Sequence, residues 1–249
     1  MSSLAEQADR LRALHEAPEL LVLPNAWDVE SARRFEALGC PAVATTSAGV
    51  ANAMGFAEGE AMPAAEMLDA VQRIAAAVDV PVTADLEAGY GLEPGELVGR
   101  LLEAGAVGLN LEDTDHRGDG PLVDAEAQAQ RLAAVKAAGR DAGVDVVLNA
   151  RVDVHLNEVG PPESRLEAAI ARGRRYREAG ADCVYPIMVK DEEAIAAFVE
   201  AVGAVNVLAL PDAPPAQRLR ELGVARLSFG SGLMHVALAA AEKLLRRVA

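Results

Sequence analysis

The chain has 249 residues, of which 51% are hydrophobic and 3% aromatic, so it can bury a large core built mainly from alanine, valine and leucine. Its formal net charge of -15 argues against nucleic acid or an anionic membrane surface as a partner. Cys40 and Cys183 lie far apart without metal-site spacing, and no signal-peptide or membrane-spanning run is present, so we expect a cytoplasmic protein.

Strand and helix patterns alternate along the chain after a first helix predicted over Leu4–Glu16. Eight apolar segments have the length and composition of buried strands, at residues 20–23, 42–46, 80–84, 107–111, 144–149, 183–187, 205–210 and 225–229. Amphipathic segments of helical length follow them, at residues 29–38, 64–78, 94–104, 125–142, 162–179, 191–202, 216–222 and 232–248. This order predicts eight strand–helix units.

The alternation predicts an α/β fold with a parallel sheet covered by helices. Predicted helices end at Gly39, Gly105, Gly180 and Gly223, where glycine can take the left-handed conformation that terminates a helix. Eight units without a linker, and without nucleotide-binding G-x-G-x-x-G or P-loop spacing, favour a closed (β/α)8 TIM-type barrel over an open sheet. We therefore predict a single barrel domain over residues 1–249, preceded by a short N-terminal helix.

Acidic residues follow two of the predicted strands, at the end of the barrel where active sites lie. Asp85 and Glu87 are two residues apart, so on an extended chain both carboxylates leave on one face. Glu112 and Asp113 follow the next strand. Clustered carboxylates repel one another unless a proton or a cation lies between them, and Mg²⁺ prefers oxygen ligands. We expect a magnesium site here, the alternative being that these acids cap helices in ordinary turns.

Further polar residues at this rim could bind a substrate. Arg151 follows the fifth predicted strand and could hold a carboxylate in a bidentate fork, although it could instead pair with Asp153 or Glu112. Residues 45–49 form a small-residue turn whose backbone N–H groups could approach an anion. His116 lies in a polar loop, residues 114–120, that could gate the site.

Three other rim residues have weaker signals. Glu58 lies in a glycine-flanked segment that could fold over the site. Asn206 is the second residue of the seventh predicted strand. Trp27 lies on the rim rather than in a helix and could form a wall of the pocket, although a packing role fits equally well. Residues 228–232 could cradle a phosphate, but the start of a helix explains them as well.

Six stretches of the sequence resemble the isocitrate lyase/phosphoenolpyruvate mutase superfamily. They are LPNAWDVESAR at 23–33, TTSAGVANAMG at 45–55, ADLEAGYG at 84–91, GLNLED at 108–113, NARVD at 149–153 and RLSFGSG at 226–232. Together they cover the chain almost end to end and in order. The resemblance implies a (β/α)8 barrel, Mg²⁺ as cofactor, and 2-oxo acids or their adducts as ligands. It also implies reactions that make or break C–C or P–C bonds through an enolate.

The resemblance assigns expected roles residue by residue. Asp85 looks like the direct magnesium ligand, with Glu87 and Glu112 holding its water molecules. Arg151 matches the arginine that faces the substrate carboxylate, and Glu58 matches an acid on the loop after the second strand. Thr46, Ser47 and Ala48 match the segment that binds the 2-oxo acid carboxylate.

The sequence also departs from the superfamily pattern. Its C–C lyases carry a gate loop whose cysteine takes part in acid–base catalysis, whereas residues 114–120 here hold no cysteine, and the gate sequence of the mutases is absent too. Val152 stands where a threonine is usual. Superfamily barrels often continue into a further helix that is swapped between subunits, whereas this chain ends after one helix, so that dimer could be altered.

These observations lead to an expected function. We expect a magnesium-dependent lyase that cleaves a C–C bond of a 2-oxo or 2-hydroxy di- or tricarboxylate, isocitrate- or methylisocitrate-like, with weak activity on isocitrate itself. Glu58, His116 and Arg151 are the catalytic candidates. The expected substrate-binding residues are Trp27, Thr46, Ser47, Ala48, Asp85, Arg151 and Asn206.

Two alternative functions stay open at this point. One is an oxaloacetate decarboxylase or a phosphonopyruvate-type hydrolase, which needs the metal-enolate site but no gate cysteine. The other is a non-catalytic 2-oxo acid binding protein. In each case we expect a small carboxylate ligand and a homo-oligomer, either a dimer or a tetramer.

Overall fold

Short parallel strands form a closed barrel in the computed structural model, which describes residues 2–118 and 120–248. The strands are β1 (Leu21–Leu23), β2 (Asn25–Ala26), β3 (Val43–Thr45), β4 (Val82–Asp85), β5 (Gly108–Glu112), β6 (Val147–Val152), β7 (Cys183–Pro186), β8 (Asn206–Leu208) and β9 (Arg226–Ser228). β1 and β2 are two halves of one barrel strand, separated at Pro24, whose nitrogen has no hydrogen to donate to a neighbouring strand.

The pairing order closes the barrel. β2 to β7 pair in chain order, and β1 pairs with β9, which in turn pairs with β8. A single bridge between Val184 and Val205 joins β7 to β8. With β1 and β2 counted as one strand, eight positions surround the barrel axis, so the predicted (β/α)8 fold is confirmed.

Helices surround the strands, and all but the third agree with the predicted ones to within a few residues at their ends. They are α1 (Leu4–Glu16), α2 (Val29–Ala37), α3 (Ser47–Met54), α4 (Ala64–Ala75), α5 (Pro94–Glu103), α6 (Ala125–Asp141), α7 (Pro162–Glu178), α8 (Glu192–Val202), α9 (Ala216–Glu221) and α10 (Gly232–Val248). Within the described residues, no helix is long and apolar enough to cross a membrane.

Helix α3 was not predicted, and it changes how the rim is built. Thr46 caps its first turn by accepting a hydrogen bond from the Gly49 N–H at 3.3 Å, and Gly55 ends it with a left-handed φ of 84°. The helix therefore points its N-terminus, with its partial positive charge, at the carboxyl end of the barrel.

Helix α1 lies across the opposite, amino-terminal end of the barrel. Leu11 is fully buried there, and its Cδ2 atom lies 2.9 Å from where a Cβ atom on Gly108 would stand, so only glycine fits at the start of β5. Arg12 of α1 forms ion pairs with Asp145 and Asp182 on the barrel. This plug leaves the carboxyl ends of the strands as the open end of the barrel.

Candidate active site

A cavity of about 580 Å³ opens at the carboxyl ends of the barrel strands. Asp85 from β4, Glu112 from β5 and Arg151 from β6 line it, as does Glu87 just after β4. The structure thus brings together the three predicted metal ligands and the predicted carboxylate-binding arginine.

Asp85 is held by the first turn of α3. Its Oδ2 atom accepts hydrogen bonds from the Ser47 backbone N–H at 3.0 Å and from the Ser47 hydroxyl at 2.8 Å. Its Oδ1 atom accepts a longer bond from the Asn110 amide at 3.4 Å. Ser47 therefore fixes the orientation of this carboxylate, while Ala48 lines the cavity beside it.

Glu87 reaches the cavity by a different route from the one predicted. Strand β4 ends at Asp85, and Glu87 has a left-handed φ of 49°, so the expected extended chain through both acids is wrong. Its carboxylate accepts hydrogen bonds from the Tyr90 hydroxyl at 2.8 Å and from the Glu60 N–H at 2.7 Å. Burial nevertheless raises the pKa of Glu87, because these donors only partly replace water.

Glu112 lies between His116 and Arg151. His116 Nε2 lies 2.7 Å from one carboxylate oxygen, and Arg151 Nη1 lies 2.6 Å from the other. Burial raises the pKa of Glu112 to about 7 and outweighs the opposite effect of Arg151. The hydrogen bond to Glu112 raises the pKa of His116 above its usual value. The pair can therefore exchange a proton near neutral pH.

Arg151 also binds Asp153, so the alternative partners considered for this arginine are both present. Its Nε and Nη2 atoms donate to the two carboxylate oxygens of Asp153 at 2.7 and 2.8 Å. The ion pair with Glu112 adds a third contact. A guanidinium carries five N–H groups, so donors remain for a ligand. Arg151 still lines the cavity, and its contacts with Asp153 fix its orientation.

Asp113 points away from the cavity, unlike its neighbour Glu112. It accepts hydrogen bonds from the Tyr176 hydroxyl at 2.7 Å, from Arg172 at 3.0 Å and from the Asp153 N–H at 2.8 Å. Asp113 thus anchors α7 to the barrel and supports Asp153. The alternative that these acids cap helices is wrong for Asp113, because the side chain of Asp124 caps α6. Asp113 nevertheless has structural contacts, whereas Glu112 lines the cavity.

The other predicted residues are divided between the cavity and its surroundings. Glu58 and His116 line the cavity. Asn206 is buried inside the barrel, where its side-chain oxygen accepts a bond from the Ser228 hydroxyl at 3.1 Å. The structure places Trp27 in an outer groove between α2, α3 and α4, with its ring edge-on to Phe35.

In the suggested phosphate cradle at residues 228–232, two backbone N–H groups bind a side chain of the protein itself. The N–H groups of Phe229 and Gly230 donate to the Asn25 side-chain oxygen at 2.7 and 3.2 Å. Asn25 also donates to the carbonyl of Thr45 at 2.8 Å. It therefore ties the loop after β9 to β3, and these two N–H groups are not free for a phosphate.

Glu60 is a site residue that the sequence did not reveal. Its side chain accepts hydrogen bonds from the Tyr90 N–H and from Arg117 Nε, while its own N–H donates to Glu87. It thus joins three loops around the cavity. A glycine-rich loop has no helix or strand periodicity from which the position of a glutamate could be predicted. Its role becomes clear only when the loops are placed in the fold.

The donor set fits a hard divalent cation. Ligand atoms of Glu87, Glu112 and His116 lie within 4.8 Å of one another, and Asp85 faces the same cavity. One oxygen of Glu112 is buried without a hydrogen bond, since its contact with Arg151 lacks hydrogen-bond alignment. A cation among these carboxylates would offset the cost of their burial. The residues present therefore fit magnesium.

Comparison with known proteins is consistent with this geometry. The 2-methylisocitrate lyase of Bacillus subtilis (strain 168) is 28% identical over 209 residues, covering 81% of this chain and 66% of that protein. The structure of a provisionally assigned phosphonomutase from Burkholderia cenocepacia J2315 superimposes with a TM-score of 0.90 at 38% identity, covering 99% of this chain and 100% of that one.

A third relative was solved with ligands. The structure of a phosphonopyruvate hydrolase in complex with oxalate and Mg²⁺ has a TM-score of 0.83 at 25% identity, covering 97% of this chain and 86% of that one. The family model for phosphoenolpyruvate phosphomutase matches residues 11–249. The chain is therefore a member of the phosphoenolpyruvate phosphomutase family, within the superfamily that its sequence resembles.

Proposed function

We propose that the protein is a magnesium-dependent lyase that cleaves a C–C bond of a 2-oxo or 2-hydroxy di- or tricarboxylate. One observation carries the proposal: Asp85, Glu87, Glu112 and Arg151 converge on a single cavity at the open end of the barrel. Three carboxylates suit a divalent cation, and the guanidinium suits a carboxylate of the substrate. The 2-methylisocitrate lyase relative supports this reaction class.

The proposed roles follow from the contacts in the cavity. When bound, magnesium would stabilise the negative charge that develops on the oxygen of the substrate's second carbon as its proton leaves. Asp85, Glu87 and Glu112 would hold the metal, with Asp85 oriented by Ser47. Arg151 would face the carboxylate of the fragment that becomes the enolate.

His116 is the proposed proton carrier, with Glu58 as a second candidate. His116 lines the cavity at the position of the gate loop, and its hydrogen bond to Glu112 raises its pKa. A histidine hydrogen-bonded to a carboxylate can take up and release a proton, which suits general acid–base catalysis. Glu58 also lines the cavity but is exposed. The loop that carries His116 has no cysteine, which is consistent with the expected weak activity on isocitrate.

The test combines turnover and binding. We expect release of glyoxylate or pyruvate from 2-hydroxy di- or tricarboxylates with Mg²⁺ present, and loss of both turnover and magnesium-dependent oxalate binding in Asp85→Asn. Val22→Asn, on the outer face of β1, is the control. Carbon dioxide from oxaloacetate, or phosphate from phosphonopyruvate, would instead favour the decarboxylase or hydrolase function. Binding without turnover of any of these compounds would favour the non-catalytic alternative.

We also propose a homo-oligomer, a dimer or tetramer, on the evidence of α10. Beyond its first turn the helix is exposed along its length, including Val236, Leu238, Leu244, Leu245 and Val248. Monomeric proteins rarely leave such a continuous apolar surface in water. A second copy of the chain is the proposed partner for this surface.

A further inference from the structure

The wall of the cavity opposite the carboxylates is largely apolar, although Ser231 and His235 also line this part of the cavity. It is formed where β6, β7, β8 and β9 end, by Leu156, Ile187, Leu208, Leu210, Pro211 and Phe229. None of these side chains is fully buried, although all are hydrophobic. They therefore leave apolar surface facing the cavity, which a ligand with apolar atoms would cover favourably.

The charged groups of the cavity are concentrated on the other side. Among the described residues that line it, four are acidic, namely Glu58, Asp85, Glu87 and Glu112, and Arg151 is the one permanent cation. That arginine already contacts Glu112 and Asp153. A bound magnesium ion and Arg151 could each take one carboxylate of a substrate. A third carboxylate would lie against leucine and isoleucine without a cationic partner, at a high desolvation cost.

We propose, on the basis of the proposed lyase function, that the substrate is a dicarboxylate carrying an alkyl group on its third carbon, rather than a tricarboxylate. Ile187, Leu208 and Leu210 are then specificity-determining residues. They take the alkyl group at the place where a tricarboxylate would carry its third carboxylate. The two remaining carboxylates form a malate-like unit that the polar side of the cavity holds.

The cleavage needs no charge on the alkyl group. The hydroxyl proton on the second carbon passes to a base, the bond between the second and third carbons breaks, and its electron pair is delocalised into the adjacent carboxylate. The second carbon becomes the carbonyl of a 2-oxo acid. The third carbon then takes a proton, and the alkyl group is unchanged.

A matched pair of substrates tests the inference. Isocitrate and 3-isobutylmalate differ only in a carboxylate that is replaced by an isopropyl group of similar shape, and both release glyoxylate. With Mg²⁺ present, we expect kcat/KM to be at least about tenfold higher for 3-isobutylmalate, because several apolar carbons become buried. In calorimetry with Mg²⁺ and glyoxylate, the product 4-methylpentanoate should likewise bind more tightly than succinate.

A variant tests whether the apolar wall sets the preference between the two substrates. Leu208→Arg supplies the missing cation and should shift the preference toward isocitrate and succinate by about tenfold or more. The control Leu38→Arg changes a leucine that is 81% exposed outside the cavity, so it should leave the preference unchanged. Thermal unfolding of both variants shows whether each has folded.

The outcomes separate this inference from the proposed function. If isocitrate is cleaved as well as 3-isobutylmalate or better, the apolar specificity is wrong while the lyase function stands. In that case the first turn of α10, where His235 lines the cavity, becomes the place to look for the third carboxylate. If neither compound is cleaved but 4-methylpentanoate binds more tightly than succinate, the apolar wall stands and the lyase function falls. Equal binding, tighter binding of succinate, or no binding of either acid overturns the inference.

Discussion

Glu112 links proton binding to metal binding, because burial raises its pKa to about 7 while its position makes it a proposed metal ligand. An acid with a raised pKa keeps its proton as the pH falls through that value, and magnesium must then displace the proton. We predict that the apparent affinity for Mg²⁺ falls by about tenfold per pH unit below about pH 7 and is nearly constant above about pH 8. Calorimetry over this range measures the effect.

The matched variant is Glu112→Gln, which cannot titrate. It should bind Mg²⁺ more weakly at every pH and should lose most of this pH dependence. Repeating the titration in buffers with different ionisation enthalpies counts the protons released per magnesium ion bound. If magnesium affinity in the wild-type protein is the same at about pH 6 and about pH 8, Glu112 does not carry the proton in question.

At the residue scale, acids at strand ends were predictable, but their surroundings were not. Asp85, Glu87 and Glu112 stand beside apolar strand segments, and a barrel places all strand ends at one rim. The sequence could not show that Glu112 faces the cavity while Asp113 turns away, since that depends on where β5 ends and on Arg172 of a distant helix.

Glu60 is the residue that joins the loops around the site by its contacts. Only 5% of its side chain is exposed, and it contacts the loop of Tyr90, the loop of Arg117 and the backbone next to Glu87. We predict that Glu60→Ala speeds hydrogen exchange of the Tyr90 amide by about tenfold or more, because a buried donor loses its acceptor. The backbone N–H of residue 60, which donates to Glu87, is kept in this variant, but its loop loses the side-chain contacts that hold it. Magnesium affinity should therefore fall a few-fold.

Arg117→Ala is the control for the role of Glu60. Arg117 is 61% exposed, so its bond with Glu60 contributes little stability and its removal should leave the Tyr90 amide protected. Mass spectrometry of peptides containing residue 90 distinguishes the two variants. Equal protection in Glu60→Ala and in the wild-type protein would contradict the role assigned to Glu60.

Helix α1 depends on a buried ion network for its position on the barrel. Asp182 accepts a hydrogen bond from the Leu148 N–H at 2.7 Å and pairs with Arg12 of α1 and with Lys136. Asp182→Asn leaves both cations largely buried with a weaker partner, so we predict a loss of about 3 kcal/mol in the free energy of unfolding. Urea denaturation monitored by circular dichroism measures it.

Asp145 offers a matched comparison within the same network. It pairs with Lys136 at 2.8 Å and with Arg12 at 3.0 Å, but its side chain is 42% exposed. Water can replace a partner there, so Asp145→Asn should cost about 1 kcal/mol or less. A similar loss in both variants would mean that burial does not set the energetics of this network.

At the element scale, the sequence predicted the repeating units well because strand and helix periodicities differ and glycine marks the helix ends. Helix α3 was missed because its sequence, SAGVANAM, has small residues, a glycine and an asparagine, and only half of its residues are buried. Its Thr46 cap and the carboxylate of Asp85 stabilise its first turn, and that second contact comes from a distant part of the chain.

For the whole molecule, the remaining question is what covers α10. Leu238 and Leu245 are seven residues apart, so they lie on the same face of the helix, and they are 51% and 64% exposed. Burying such a face between two copies removes apolar area from water on both. We predict that light scattering gives a mass that is a multiple of the chain mass, and that the double variant Leu238→Glu/Leu245→Glu is a monomer at micromolar concentration.

The control for this prediction is Leu38→Glu, which adds the same charge at an exposed leucine at the end of α2 and should leave the mass unchanged. The double variant should also keep its magnesium-dependent oxalate binding if the cavity of one chain is complete by itself. Loss of that binding together with the oligomer, in a variant that still unfolds cooperatively, would mean that a second copy supports the cavity. A wild-type protein that is monomeric at these concentrations would show that the homo-oligomer proposal is wrong.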